Sequence, residues 1–448
     1  MTRQMELPFE TSGGHREGER SEQVPTQEAG HGGPGTSTLM EEVVSTANIE
    51  RAAARVKKNE GGPGIDGMKV EALEGWLREQ WPRVREELLA GTYEPAAVRR
   101  VMIPKRGGGE RMLGIPTVSD RLIQQAILQV LQPRIDPTFS EHSYGFRPGR
   151  SAHQAVEQMR DYVVEGREWV VDIDLEKFFD RVNHDLLMGK MAKRVGDARV
   201  LRTIRRYLTA GVMADGVKVA MESGTPQGGP LSPLLANVYL DEVDKELEAR
   251  GHAFVRYADD LRVLVRSEKA GQRVMRWLIL RFEKMRLRVN REKSMVAKVW
   301  QRPFLGFRLC GSKEGRPKIT VARKAMERMR ERVREITRRV RGRSMEQVVK
   351  ELRSYLRGWM GYFRLAEAKS PLRDADGWIR RRVRNLILYQ CRTKSRTYDV
   401  MRLYGASDET AKKIAANLRH WWRNSKGNVN RVLTNSRLNE LGVPTLAS

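Results

Sequence analysis

Two different patterns of apolar and polar positions divide the chain. In VRYADDLRVLVR (255–266), Val, Tyr and Leu alternate with charged residues, which predicts two short strands joined by a hairpin at Asp259 and Asp260. Beyond residue 321, apolar positions recur at steps of three and four, beginning with Met326, Met329, Val333, Ile336 and Val340. Such spacing is typical of helices with one narrow apolar seam. The pattern therefore predicts an α+β region followed by an all-helical region.

The segments before the hairpin show the same two kinds of apolar spacing. The segment 99–116 predicts two strands joined by a glycine-rich turn, and 120–132 has helical spacing. Proline cannot donate a backbone hydrogen bond, so we expect Pro133 to end that helix. Ser151 is expected to cap the next helix.

Composition narrows the class of partner. The chain has 448 residues, and 83 Lys and Arg against 56 Asp and Glu give a net charge of +27. This excess favours a polyanion such as nucleic acid. An apolar run of about 18 residues, as a membrane span requires, is missing from the sequence. Two distant cysteines, Cys310 and Cys391, argue against a disulfide framework or a cysteine-rich zinc module, and we expect a cytoplasmic protein.

A second group of carboxylates lies in EWVVDIDLEKFFDRVNHD (168–185). β-Branched residues predict a strand here, on which Asp172 and Asp174 would share one face. We expect Asp180 to cap a helix that starts near Asn183. Aspartates also favour ordinary turns, so the carboxylates of 255–266 have two interpretations, as turn residues or as ligands of a hard divalent cation.

The order and spacing of these motifs resemble group II intron reverse transcriptases. Tyr-x-Asp-Asp at 257–260 and Asp-x-x-x-Phe-Phe-Asp at 174–180 are similar to two palm motifs of that family. The resemblance spans roughly residues 45–442 and implies a right-hand polymerase, with α+β fingers and palm before an all-α thumb and maturase domain. The expected segments are a disordered 1–40, a helical extension 41–95, fingers and palm 96–310, a thumb 311–370 and a maturase RNA-binding region 371–448.

The resemblance implies a catalytic site that holds two Mg²⁺ ions, for which Mn²⁺ could substitute. Asp174, Asp259 and Asp260 would be the catalytic carboxylates and metal ligands, and Leu175 would add its backbone carbonyl. Asp172 is the alternative to Asp174.

Five further residues resemble the family's nucleotide-binding residues. Lys105 and Arg111 would hold the triphosphate, and Gln227, in the loop SGTPQGG, would contact the incoming nucleotide. Phe179 would exclude a 2′-hydroxyl, and Lys293 would protonate pyrophosphate. The plain alternatives are a solvated basic turn, a connecting loop and a core phenylalanine.

The helical end, with WIRRRVRN at 378–385, resembles the family's thumb and maturase domain. The residues expected to bind RNA are Arg380, Arg381, Arg382 and Arg384. Paired cysteines, which hold the zinc-stabilised endonuclease of many relatives, do not occur here, so we expect a family member without that module.

The resemblance implies an RNA-directed DNA polymerase that binds its parent group II intron RNA, assists splicing and supports mobility by target-primed reverse transcription. Its expected partners are intron RNA, an RNA template with a DNA primer, dNTPs and target DNA, and no membrane. Two alternatives stay open. One is a domesticated reverse transcriptase in repair or defence, and the other is a maturase that acts only in splicing.

Overall fold

The fold was analysed in a computed structural model. It describes residues 38–104, 110–214, 217–219, 224, 228–311, 315–339 and 342–446. Within these ranges the chain forms two compact units, one that ends at Arg302 and one that begins at Pro303. The segment 1–40, expected to be disordered, lies outside the described residues up to residue 37. Its last two residues, Leu39 and Met40, begin the first helix.

The first unit contains most of the mixed α+β structure. Its helices are α1 (Leu39–Val43), α2 (Thr46–Asn59), α3 (Leu73–Glu79), α4 (Trp81–Ala90), α5 (Val118–Ile135), α6 (Ala152–Val164), α7 (Phe178–Arg181), α8 (His184–Ala192), α9 (Ala198–Thr209), α10 (Ser232–Ala249) and α11 (Glu268–Lys284). Its strands are β1 (Val98–Pro104), β2 (Glu110–Ile115), β3 (Trp169–Ile173), β4 (Val212–Ala214), β5 (Val217–Val219), β6 (Ala253–Tyr257), β7 (Asp260–Val265) and β8 (Met295–Lys298).

Two sheets organise this unit. The first has the order β2-β1-β4-β5, in which β1 and β2 form the predicted antiparallel pair. The second has the order β6-β7-β3-β8, with antiparallel neighbours throughout. Because β3 pairs with β7, the two aspartate motifs, which are far apart in sequence, meet at one end of this second sheet. The hairpin predicted at 255–266 is confirmed.

Two local predictions at helix ends are wrong. α5 continues through Pro133 to Ile135, because the proline removes only one donor near the end of the helix and Ile135 is buried. Asp180 lies inside α7, and it is the side chain of Asn183 that caps α8 by accepting from the Leu186 amide.

The second unit is mainly helical, as predicted. It contains β9 (Phe307–Cys310), β10 (Lys318–Val321), α12 (Arg323–Ile336), α13 (Met345–Tyr362), α14 (Lys369–Cys391), α15 (Lys394–Leu403), α16 (Asp408–Ala416), α17 (Trp421–Asn424), α18 (Asn428–Val432) and α19 (Asn435–Glu440). Met326, Met329, Val333 and Ile336 are buried along α12, which confirms the apolar seam, whereas Val340 lies outside the described residues. Throughout the described ranges, every helix is too short or too polar to cross a bilayer.

Candidate active site

Asp174 directly follows the last residue of β3. Its amide donates to Ser294 Oγ at 2.9 Å, and its carbonyl accepts from the Asn290 amide at 2.8 Å. The backbone is therefore fixed on both sides. The carboxylate is 45% exposed, so it can reach a ligand. Leu175 continues the chain with a buried side chain and a bridge to Val289.

The β6–β7 hairpin places two more carboxylates at the same end of the sheet. Tyr257 and Asp260 form its last pair, which leaves Ala258 and Asp259 in the turn. Ala258 has a φ of 57°, a left-handed conformation that costs an alanine about 1 kcal/mol. The turn must therefore be held by its surroundings.

A buried arginine holds that turn. Arg256 is 2% exposed, and its guanidinium donates to Asp244 Oδ1 at 2.8 Å, to Asn237 Oδ1 at 2.9 Å and to the Ala258 carbonyl at 2.9 Å. On the other side, a Cβ at Gly145 would lie 2.2 Å from the Ala258 amide nitrogen, so only glycine fits. Sequence alternation missed Arg256 because it predicts a solvated charge at that position.

The three carboxylates interact electrostatically. Burial, followed by the neighbouring charges of Asp259 and Asp174, raises the pKa of Asp260 to about 7. A divalent cation would relieve the mutual repulsion among these carboxylates. Aspartate oxygens are also the ligands that hard divalent cations prefer. The donor chemistry thus fits a metal. In the described ranges no three such side chains are arranged as a finished coordination site.

Lys293 approaches the same carboxylates from the loop before β8. Its Nζ lies 3.8 Å from Asp174 Oδ2, and the side chain is 68% exposed. The loop is held against Asp174 by the Asn290 and Ser294 contacts given above. Lys293 is therefore an exposed cation beside Asp174 rather than a buried structural partner.

Phe179 and its neighbour Phe178 have different environments. Phe178 is 2% exposed and belongs to the core, whereas Phe179 is half-buried at the core's edge. Their rings meet edge to face at 5.1 Å. Part of the Phe179 ring is thus exposed, unlike that of Phe178.

Asp172, the alternative metal ligand, faces two arginines instead. It is 3% exposed and forms ion pairs with Arg262 and Arg302. Its carboxylate is thus occupied by the protein itself, which favours Asp174 as the ligand. The sequence offered Asp172 and Asp174 as equivalent positions on one strand face, and only the tertiary contacts separate them.

Three predicted nucleotide contacts cannot be placed. Lys105 and Gln227 lie outside the described residues. Arg111 lies in β2, where its backbone pairs with Ile103 of β1, but its side chain is outside the described residues.

The four arginines predicted to bind RNA fall into two groups. Arg380 and Arg384 are 3% and 4% exposed, and both donate to the C-terminal segment, for instance to Asn435. Their guanidinium groups are satisfied inside the protein, which argues against phosphate binding. Arg382 donates to Thr337 Oγ1 and is half-buried. Arg381 is partly exposed, with its guanidinium 3.9 Å from the ring centroid of Trp422.

The fold and the carboxylates define a nucleic-acid polymerase of the palm type. The model of the reverse transcriptase (RNA-dependent DNA polymerase) family matches residues 103–309, and that of the group II intron maturase-specific domain matches residues 326–405. The chain belongs to the reverse transcriptases that carry this maturase domain. It is accordingly an RNA-directed DNA polymerase by family, a family that generally uses divalent metals.

Three known proteins are similar to part of this chain. Protein YkfC of Escherichia coli is 34% identical over 300 residues, which cover 57% of this chain and 79% of that protein. Group II intron-encoded protein LtrA of Lactococcus lactis is 38% identical over 185 residues, 41% of this chain and 31% of that protein. A chain in a solved partial Cas6-RT-Cas1–Cas2 complex is 26% identical, with a TM-score of 0.36 over 55% of this chain and 43% of that one.

Proposed function

We propose that Asp174, Asp259 and Asp260 are the catalytic carboxylates with which this chain extends a DNA primer on an RNA template, using dNTPs. Mg²⁺ is the proposed cofactor, with Mn²⁺ as a possible substitute. The observation that carries the proposal is the convergence of the three carboxylates at the ends of β3 and β7, where the charges of Asp259 and Asp174 add to burial in raising the pKa of Asp260.

Each residue has a separate part in this proposal. When bound, two divalent cations supply activation of the attacking hydroxyl and stabilisation of the leaving pyrophosphate. Asp174, Asp259 and Asp260, with the Leu175 carbonyl, would hold them. Lys293 would donate a proton to pyrophosphate, since its amine stands beside Asp174.

The remaining nucleotide contacts follow from the family resemblance. Phe179 would pack against the sugar and exclude a 2′-hydroxyl. Lys105 and Arg111 would bind the triphosphate, because cations on the fingers offset the charge of the transferred phosphate. Gln227 would contact the incoming nucleotide.

The second unit is proposed to bind the parent group II intron RNA, to assist its splicing and to support mobility at target DNA. The maturase-specific match and the net charge of +27 support this. Arg381 stacked on Trp422 is the best-placed contact of the four predicted arginines, because a guanidinium on an aromatic face can also stack with bases. We propose a cytoplasmic location, where an intron transcript would meet its protein.

The test is single-nucleotide extension of a DNA primer on an RNA template by full-length variants. Asp174→Asn and Asp259→Asn should abolish extension while intron RNA affinity stays within about twofold, because phosphate contacts use other residues. Asp185→Asn, an exposed aspartate of α8, is the matched control and should extend normally. Extension by either catalytic variant at the rate of this control would refute the carboxylate assignment.

A wild-type protein that splices but never extends would instead favour the maturase that acts only in splicing. One that extends but binds no intron RNA would favour the domesticated polymerase.

A further inference from the structure

A buried ion pair lies directly behind the catalytic carboxylates. Asp172 of β3 is paired in register with Arg262 of β7. Two positions further along the same strands, this register would pair Asp174 with Asp260. Residues two apart on a strand share one face. All four side chains therefore project from one face of the sheet, with the pair Asp172–Arg262 one step further from the end.

Arg262 contacts both neighbouring carboxylates. It forms an ion pair with Asp172, and its Nη2 lies 3.3 Å from Asp260 Oδ1. The arginine is 6% exposed. A guanidinium presents donors in a rigid planar fork, so contacts on both sides fix its orientation and that of each partner.

A third charged residue ties the pair to the Lys293 loop. Arg302 contacts Asp172, and its Nη2 donates to the Lys293 carbonyl at 3.1 Å. Asp172 thus stands between two arginines, one of which reaches Asp260 while the other reaches the backbone of Lys293. The pair is linked to two different parts of the site.

Stability alone does not account for this arrangement. Removing two charges from water costs several kcal/mol per ion, and apolar residues of similar volume often stabilise a sheet at least as well. Arg262 and Asp172 lie on central strands, where β-branched or aromatic residues would pack well. Such apolar residues could not form an ion pair with Asp260.

We propose that Arg262, anchored by Asp172, is a positioning residue that sets the orientation of the Asp260 carboxylate for the polymerase reaction. The inference rests on the proposed function, since it assigns Asp260 to the active site. Arg262 does not touch substrate in this proposal. It acts through Asp260, while Asp172 holds the opposite side of its guanidinium.

The test compares Arg262→Gln and Arg262→Lys in the full chain, by single-nucleotide extension and by urea unfolding in metal-free buffer. Lysine keeps the charge but offers a single point contact in place of the fork. Both variants should lower the extension rate at saturating dNTP by about 10-fold or more, because small misplacements of reacting groups are costly. The KM for dNTP should change by less than about twofold, since triphosphate contacts lie elsewhere.

Unfolding provides a reading that does not depend on activity. Arg262→Lys should unfold at higher urea than Arg262→Gln, because the ammonium still pairs with Asp172. In a double-mutant cycle with Asp172→Asn, the two losses should be strongly non-additive. The matched control is Arg194→Gln, which breaks the buried pair with Asp241 and should lower stability without slowing extension.

Three results would overturn the proposal: an Arg262→Gln extension rate equal to that of Arg194→Gln, full recovery of the rate by Arg262→Lys, or additive unfolding effects. The outcome is separable from the proposed function. If Asp259→Asn is inactive while Arg262→Gln is fully active, only the positioning role fails. If Asp259→Asn is active, the carboxylate assignment itself fails.

Discussion

Lys293 Nζ stands 3.8 Å from Asp174 Oδ2, although the two residues are 119 positions apart in sequence. The contact is made possible by the loop before β8, whose Asn290 and Ser294 bind the backbone of Asp174. An exposed ammonium beside a proposed catalytic carboxylate can bind phosphate or transfer a proton. This contact singles out Lys293, among the many lysines of the chain, as the candidate proton donor.

Lys293→Ala should lower the rate of nucleotide incorporation by about 100-fold, a typical contribution of a general acid. Lys293→Arg should not restore the rate, because a guanidinium keeps its proton at accessible pH. Stopped-flow or quench-flow extension at saturating dNTP measures both. Arg291→Ala, an exposed cation of the same loop, is the control. Recovery of the rate by arginine would indicate charge stabilisation in place of proton transfer.

Phe179→Ala should admit ribonucleotides, because it removes the ring proposed to exclude the 2′-hydroxyl. The ratio of kcat/KM for dNTP and rNTP is the measurement. The adjacent Phe178 offers a sharp contrast, since Phe178→Ala removes a core side chain and should lower the free energy of unfolding by about 3–5 kcal/mol. An unchanged ratio together with reduced stability for Phe179→Ala would indicate that Phe179 is only a core residue.

His184 gives the first unit a predictable acid sensitivity. Burial lowers its pKa below the ordinary value of 6.5, and its Nε2 lies 2.7 Å from the Gly224 carbonyl, to which it donates as the neutral tautomer. The unfolded chain therefore binds a proton more readily than the folded chain does. Stability from this residue is complete above pH 6.5 and is lost as the pH falls through the lowered pKa.

Urea unfolding between pH 5 and 8 would measure that loss in the wild type and in His184→Gln. Glutamine can still donate to Gly224 but does not titrate, so the slope below about pH 6.5 should become shallower. Equal slopes in the two proteins would show that His184 is not the group responsible.

The arginines of α14 should separate into structural and RNA-binding residues. Arg384 donates to the Leu433 carbonyl and to Asn435, so Arg384→Gln should lower the free energy of unfolding by about 2–4 kcal/mol. Arg381→Gln should instead weaken intron RNA binding with little loss of stability. Thermal unfolding and filter binding distinguish the two. Equal losses of RNA affinity at matched folded fraction would contradict this division.

RNA affinity should fall steeply with salt, since arginine–phosphate contacts release counterions. A log–log plot of affinity against KCl concentration measures the slope, and Arg381→Gln should reduce its magnitude by about one. A flat plot would be incompatible with an interface dominated by phosphate contacts.

Sequence pattern predicted the main architecture, and the family resemblance supplied the three catalytic candidates, which stay a prediction. Apolar spacing predicted the hairpin and the seam of α12 because local geometry imposes those periods on any strand or helix. The resemblance of the two aspartate motifs led to the family that the comparisons then showed. These are local signals, and they require no knowledge of what packs against them.

Tertiary structure decided which charged side chains are paired inside the protein and which stay exposed. Alternation predicts solvated arginines at positions 256 and 262, but strands that are covered on both faces bury them, and each then needs a carboxylate. The same reason separates Asp172 from Asp174, and Arg384 from Arg381. Whether a charged side chain meets water or an opposite charge depends on residues distant in sequence, and the chain specifies those neighbours only once it has folded.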